Sequence, residues 1–216
     1  MDQTISRPPE LSTQARRLSA IPMIQNLGRH RAELYRAPRA FTAQACREVI
    51  AFADGQNRPS TVADSNGDHE FRTSTTSDMP NDHPVAQHMA EMIARLLGLP
   101  LGNAEQMQAQ RYDVGQEFKP HCDWFRPGSE SYREQCLRSG QRTWTAMVYM
   151  NDVEMGGETA FPRLGVVQKP EAGTMLMWNN QTSKGEVNPW TIHHAMPVLQ
   201  GSKYVVTLWF REKSWR

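Results

Sequence analysis

The apolar positions change period part-way along the chain. Between Pro84 and Leu97, Val85, Met89, Met92, Ile93, Leu96 and Leu97 recur at helical spacing, and Gly98 and Pro100 follow. This pattern predicts an amphipathic helix that stops at Gly98. An earlier run, Ala37–Ala53, carries Ala45, Val49, Ile50 and Phe52 on one stripe, with Thr42 placed as an N-cap, and predicts a second helix. From about Ala104 the runs become short and rich in β-branched and aromatic residues. Strands are expected at Gln108–Tyr112, through His121, and at Thr143–Asn151, Glu158–Phe161, Gly173–Trp178 and Lys203–Arg211. Glu70–Thr76 is hydroxyl-rich and β-prone. Residues 54–69, 126–141 and 179–190 are polar and read as loops.

Helices first and short strands afterwards predict an α+β chain. Its core is expected to be a double-stranded β-helix, or jelly roll, flanked by N-terminal helices. Residues 1–34 are polar and weakly periodic, with Pro8-Pro9 breaking any early helix. They are expected to form an extension, loose or holding one short packed helix, and residues 35–216 the domain. No internal repeat is visible.

Composition narrows the classes. The chain has 216 residues, 38% hydrophobic and 22% charged, with a net charge of +1. That is the make-up of an ordinary globular domain, without the basic excess of a nucleic-acid or membrane-surface binder. No apolar run is long enough to span a bilayer, and no secretory leader is evident. Three cysteines, Cys46, Cys122 and Cys136, give no disulfide framework and no Cys-x-x-Cys zinc pattern. The expected location is the cytoplasm.

The candidate chemistry lies in RYDVGQEFKPHCDWF, residues 111–125. His121 and Asp123 stand two apart, so on an extended strand both would project from one face, with Cys122 packed on the other. One more imidazole would complete a facial triad suited to non-haem Fe(II). His193 or His194, in TIHHAMPV, can supply it. On the last strand Lys203, Val205, Thr207 and Trp209 share one face, so Lys203 can pair there with the distal carboxylate of a bound diacid. His69 and His88 read as a loop residue and a helix-face residue.

Four pieces in order are RYDVGQEFKPHCDWF, RTWTAMVYMNDVEMGGETAFP, GTMLMW and HHAMPVLQGSKYVVTLWFR. Together they resemble the prolyl 4-hydroxylase-like branch of the Fe(II)/2-oxoglutarate-dependent dioxygenases, over roughly residues 35–212. The resemblance implies His121 and Asp123 as the first two iron ligands. It selects His193 as the third, because that residue lies four before Pro197 and ten before Lys203; His194 would point elsewhere. It implies Lys203 as the anchor of the 2-oxoglutarate C5 carboxylate, with Tyr112 and Thr145 helping to hold the co-substrate. Arg72-Thr73-Ser74 resembles a stretch near the family's substrate cleft and Trp209 an aromatic lining it. Trp124 is expected beside them at the mouth.

The activity implied is hydroxylation of an unactivated C–H bond, coupled to oxidation of 2-oxoglutarate to succinate and CO₂. Fe(II) would be the cofactor, 2-oxoglutarate and O₂ the co-substrates, and ascorbate an auxiliary reductant. Asp123 stands where halogenating relatives leave room for chloride, which points to hydroxylation. The expected substrate is a prolyl residue of a peptide or protein, with a free amino acid or other small molecule as the alternative. Three rivals have specific marks against them. A nucleic-acid demethylase would use arginine anchors, where this chain has Leu199 and Lys203. A non-catalytic diacid- or metal-binding jelly roll would be expected to have lost one of the four groups. A zinc hydrolase would show a helical His-Glu-x-x-His. Loop 179–190 and His194-Ala195-Met196 depart from the family pattern around the expected mouth.

Overall fold

A computed structural model of the chain describes residues 10–61 and 70–215. His69 and Pro8-Pro9 lie outside the described residues. Four helices are described: α1 (Thr13–Ser19), α2 (Ala43–Gly55), α3 (Pro84–Leu97) and α4 (Glu130–Cys136). The strands before α4 are β1 (Gln25–Asn26), β2 (Leu34–Ala37), β3 (Arg58–Pro59), β4 (Thr75–Asp78), β5 (Gln108–Tyr112) and β6 (Phe118–His121). After α4 come β7 (Arg142–Tyr149), β8 (Met155–Gly156), β9 (Thr159–Phe161) and β10 (Val166–Gln168). The last are β11 (Met175–Asn179), β12 (His193–Ala195), β13 (Val198–Gln200) and β14 (Lys203–Arg211).

Local chemistry accounts for the helix ends. The Thr42 hydroxyl accepts from the Ala45 N–H at the start of α2. Gly98 closes α3 in the left-handed conformation, φ 69°. Arg17 of α1 donates to the Leu96 and Arg95 carbonyls, satisfying the C-terminal end of α3 from outside. α4 interrupts the stretch expected as a loop. It is short and mostly polar, so it offers no apolar stripe, but Ser129 caps it by accepting from the Tyr132 N–H. Ala37, expected in the second helix, belongs instead to β2, and the helix begins after its cap.

Two antiparallel sheets face each other. The larger runs β1-β2-β11-β7-β14-β5-β4-β3 and the smaller β10-β9-β12-β6. Side-chain alternation on the large sheet divides the core. Tyr204, Val206, Leu208 and Phe210 of β14, with Met175 and Met177 of β11, pack toward the helices, where Met89, Ile93 and Leu97 of α3 are buried. Val205, Tyr112, Tyr149, Leu176 and Trp178 point the other way, into the space between the sheets, where Phe161 of β9 meets them. The helices therefore stiffen one face of the sheet, and the other face is left to build a cavity. This is the jelly roll expected from the strand pattern.

Candidate metal centre

The site lies between the sheets where β6 and β12 pair. His193 is in register with His121 across this pair. Asp123 is not on the strand: β6 ends at His121, and the chain bends through Cys122 and Asp123. The expected shared strand face therefore does not hold for Asp123. A bend delivers its carboxylate, and two contacts hold the bend. The Gln141 side chain accepts from the Phe125 N–H at 3.1 Å and donates to the Phe125 carbonyl at 2.5 Å. The Thr145 hydroxyl of β7 donates to Asp123 Oδ2 at 2.8 Å, and Asn180 Nδ2 donates to Thr145 Oγ1 at 2.9 Å. Cys122 is half-buried on the same bend.

One ligand-type atom from each of His121, Asp123 and His193 lies within 4.8 Å of the others. Both imidazoles are oriented from behind. His121 Nδ1 is 2.8 Å from the Lys119 carbonyl and His193 Nδ1 3.0 Å from the Thr191 carbonyl. Each Nδ1 thus carries the proton, and each Nε2 presents its lone pair to the centre. The two Nε2 atoms stand 3.9 Å from Asp123 Oδ1 and Oδ2 respectively. Burial, and secondarily the neighbouring His193, drive the His121 pKa well below its ordinary value, so the ring stays neutral. Burial alone would push the Asp123 carboxyl up. The two imidazoles, Arg142 and the Thr145 hydroxyl outweigh it, and the pKa ends below the usual carboxylate range. Two imidazole nitrogens and one carboxylate on one side are a donor set that can hold Fe(II) with open positions.

Aromatic rings wall the centre. Phe118 stacks on His121, centroids 3.5 Å apart, and the Arg72 guanidinium lies 4.9 Å from the Phe118 ring centroid. Trp178 sits 4.7 Å from His193, with its buried indole Nε1 lacking a hydrogen-bond partner. Deeper between the sheets, Lys203 is 1% exposed. It donates to the Gly157 carbonyl at 2.9 Å and lies 4.4 Å from the Tyr112 ring centroid, but no ion pair to a carboxylate holds it among the described residues. Burial pushes its pKa down to about 7, with Glu158 opposing. A buried ammonium so placed fits an incoming carboxylate.

The other expected residues take these places. Tyr112 is buried in register with Lys203, its hydroxyl 3.3 Å from Gln110 Oε1. Thr145 serves Asp123, as described. Arg72 donates to the Ser74 and Thr76 hydroxyls. Trp124 is half-buried just beyond Asp123. Trp209, in register with Thr145, is 6% exposed and lies under the Arg142 guanidinium at 4.0 Å. His194 turns away from the centre to Glu117, 2.7 Å distant. Sequence reading did not single out Phe118, Trp178, Asn180 or Arg142. Trp178 had a signal, since alternation puts it beside Leu176 and opposite Met175 and Met177; Arg142 had none.

The model of the 2OG-Fe(II) oxygenase superfamily matches residues 107–211. A protein of Acanthamoeba polyphaga mimivirus, named "Putative prolyl 4-hydroxylase", is 32% identical over 169 residues, 78% of this chain and 69% of that one. The chain belongs to the 2OG-Fe(II) oxygenase superfamily. Prolyl 4-hydroxylase subunit alpha-1 of Rattus norvegicus is 38% identical over 133 residues, but these are 61% of this chain and only 24% of that subunit. Among solved structures, the viral collagen prolyl hydroxylase of Paramecium Bursaria Chlorella virus-1, in complex with 2OG, superposes with a TM-score of 0.66. It is 25% identical and covers 82% of this chain and 95% of its own. A prolyl-4-hydroxylase of Pseudomonas putida, TM-score 0.60 at 16% identity, shares the fold over 93% of this chain and all of its own. As a 2OG-Fe(II) oxygenase the protein is a dioxygenase that uses Fe(II), 2-oxoglutarate and O₂.

Proposed function

We propose that this oxygenase hydroxylates prolyl residues of a peptide or protein, with residues 35–216 as its catalytic unit. The observation that carries the reading is the set His121, Asp123 and His193, with Nε2 and carboxylate atoms turned inward and the buried Lys203 further into the same barrel. The prolyl substrate class is supported by the names of the relatives similar to the chain. Bound Fe(II), with 2-oxoglutarate and O₂, supplies the oxidising chemistry, 2-oxoglutarate leaving as succinate and CO₂.

The chain's own residues position and shield. His121, Asp123 and His193 hold the metal. Thr145 fixes one Asp123 oxygen. Lys203 takes the far carboxylate of 2-oxoglutarate, with the Tyr112 ring against it. Phe118, Phe161 and Trp178 keep water from the two imidazoles. Arg72, Trp124 and Trp209 border the substrate's approach.

The test is succinate formation by anaerobically Fe(II)-loaded protein on adding O₂, 2-oxoglutarate and ascorbate, with and without a proline-rich peptide. Peptide-stimulated succinate and one added oxygen on proline are expected. Slow turnover that no peptide stimulates would overturn the prolyl assignment and move the search to free amino acids. Asp123→Ala should remove Fe(II) binding and succinate formation together; near wild-type turnover in that variant would sink the ligand assignment.

A further inference from the structure

The loop after β11 reaches two of the three metal-type ligands, one from each end. Asn180, at its start, donates from Nδ2 to Thr145 Oγ1 at 2.9 Å, and Thr145 donates to Asp123 Oδ2 at 2.8 Å. Thr191, at its end, presents its carbonyl to His193 Nδ1 at 3.0 Å. The polarity of the first chain is fixed. A carboxylate can only accept, so the single Thr145 proton is committed to Asp123, and Asn180 must turn its Nδ2, not its Oδ1, toward the hydroxyl. Asn180 Oδ1 is buried without a hydrogen-bond partner, so the Thr145 bond is what the burial of this amide secures.

Asn188 buckles the two ends of the loop together. Its N–H donates to the Asn180 carbonyl at 2.8 Å and its Nδ2 to the Asn179 carbonyl at 3.4 Å. Its Oδ1 accepts from the Trp190 N–H at 3.1 Å, and its carbonyl accepts from the Thr191 N–H at 3.3 Å and the Thr191 hydroxyl at 3.0 Å. Pro189–Thr191 is thereby one 3-10 turn that starts on Asn188. Asn180, Asn188 and Thr191 are buried, whereas residues 183–187 between them are exposed. The outer part closes as a hairpin, with Gln181 bridged to Val187 and the Thr182 N–H donating to the Glu186 carbonyl at 2.8 Å. From outside, the Arg31 guanidinium lies 5.1 Å from the Trp190 ring centroid across a cavity of about 900 Å³.

Asp123 depends most on such support, because it sits on a bend while His121 and His193 are paired across β6 and β12. We propose that residues 179–191 form a positioning strap: Asn188 closes its neck, and through Asn180 and Thr191 the neck sets how Asp123 and His193 face the metal. Asn180 and Asn188 are then positioning residues, the first acting through the Thr145 hydroxyl and the second through the Thr191 carbonyl. The inference rests on the ligand assignment above and adds what orients two of the three ligands together.

Two measurements on the full chain test the strap, neither of them turnover. In the first, Mn(II) is titrated into the metal-free protein and the free ion is read by electron paramagnetic resonance. Wild type is expected to bind it. Thr145→Val and Asn180→Leu, both close to isosteric, should each weaken binding about tenfold. The double variant should lose no more than Thr145→Val alone, since Asn180 acts through that hydroxyl. Unchanged affinity in Asn180→Leu, or losses that add in the double variant, overturns the strap and leaves the ligands standing. No binding by wild type removes the ligand assignment and the strap with it. In the second, nitrogen-15 NMR of histidine-labelled, metal-free protein at mildly alkaline pH reads the His193 tautomer, assigned with His193→Gln. Wild type should hold the proton on Nδ1. Asn188→Ala should leave part of the population with the proton on Nε2, and Asn188→Asp, which keeps the acceptor for the Trp190 N–H, should restore the wild-type signal. A lower thermal midpoint in Asn188→Ala, with the tautomer and the Mn(II) affinity both unchanged, would make Asn188 a purely structural residue and overturn the proposal.

Discussion

Lys203 shows how far one residue can be understood from its surroundings. Its stem and ammonium are enclosed between the sheets, with one carbonyl and one aromatic ring as partners. Burial penalises the charged form, and the pKa falls to about 7. A carboxylate bound beside it restores the charge and raises the pKa. With Lys203 as the proposed anchor of 2-oxoglutarate, binding above about pH 7 takes up a proton, and affinity should fall by up to about tenfold for each further pH unit. Calorimetric titrations of the anaerobic Fe(II) protein, in buffers of different ionisation enthalpy, should show this uptake near about pH 8 and little near about pH 6. A pH-independent affinity would mean that Lys203 does not meet the co-substrate's charge. The residue types at the centre were legible in the sequence, because two imidazoles, a carboxylate and a lysine at family spacing point to one chemistry. Their supports were not. Nothing in the order Thr145, Asn180, Gln141 says that the first two steady Asp123 and the third clamps Phe125.

Elements carry the site by covering one face of the large sheet with helices and leaving the other to the cavity. α3 was legible because seven of its residues pack on one stripe, and its end was legible because only glycine tolerates the left-handed turn well. Gly98→Ala should therefore cost about 1 kcal/mol, read as a drop in the thermal midpoint of a few degrees. The Cβ would meet the Arg17 side chain at 3.3 Å, which can give way, so strain in the backbone decides the effect. An unchanged midpoint would show that the turn relaxes. The strands were legible from alternation, most clearly β14, whose observed bounds match the expected Lys203–Arg211. α4 was not, since a polar two-turn helix has no period to read. The bend at Asp123 was also hidden, because His-x-Asp fits a strand as well as a turn.

At the scale of the whole molecule, a charge network ties the site to the last strand of the chain. Arg142 donates to both Glu105 oxygens at 2.7 and 2.8 Å, and Arg211 Nε stands 2.5 Å from Glu105 Oε1. Phe125 lies between the two guanidinium groups, 4.9 Å from each, and Trp209 lies under Arg142. Glu105→Gln would leave one fully buried cation, Arg211, and one partly buried, Arg142, without their counter-charge. It should cost about 3–5 kcal/mol and lower the thermal midpoint by about 10 °C; a change within about 2 °C would show that the network relaxes without loss. The sequence by itself determined the α+β class, the helical and extended runs, and the ligand types. These depend on local periodicity and on residue chemistry, both of which are written in order along the chain. Tertiary structure alone decided which groups steady the ligands, that Glu105 neutralises Arg142 and Arg211, and that the Arg29–Arg31 loop faces Trp190 across a cavity. Those outcomes depend on contacts such as Thr145 with Asp123, Arg142 with Glu105 and Arg31 with Trp190, some 20 to 160 positions apart, and no local period records which distant side chains will be neighbours.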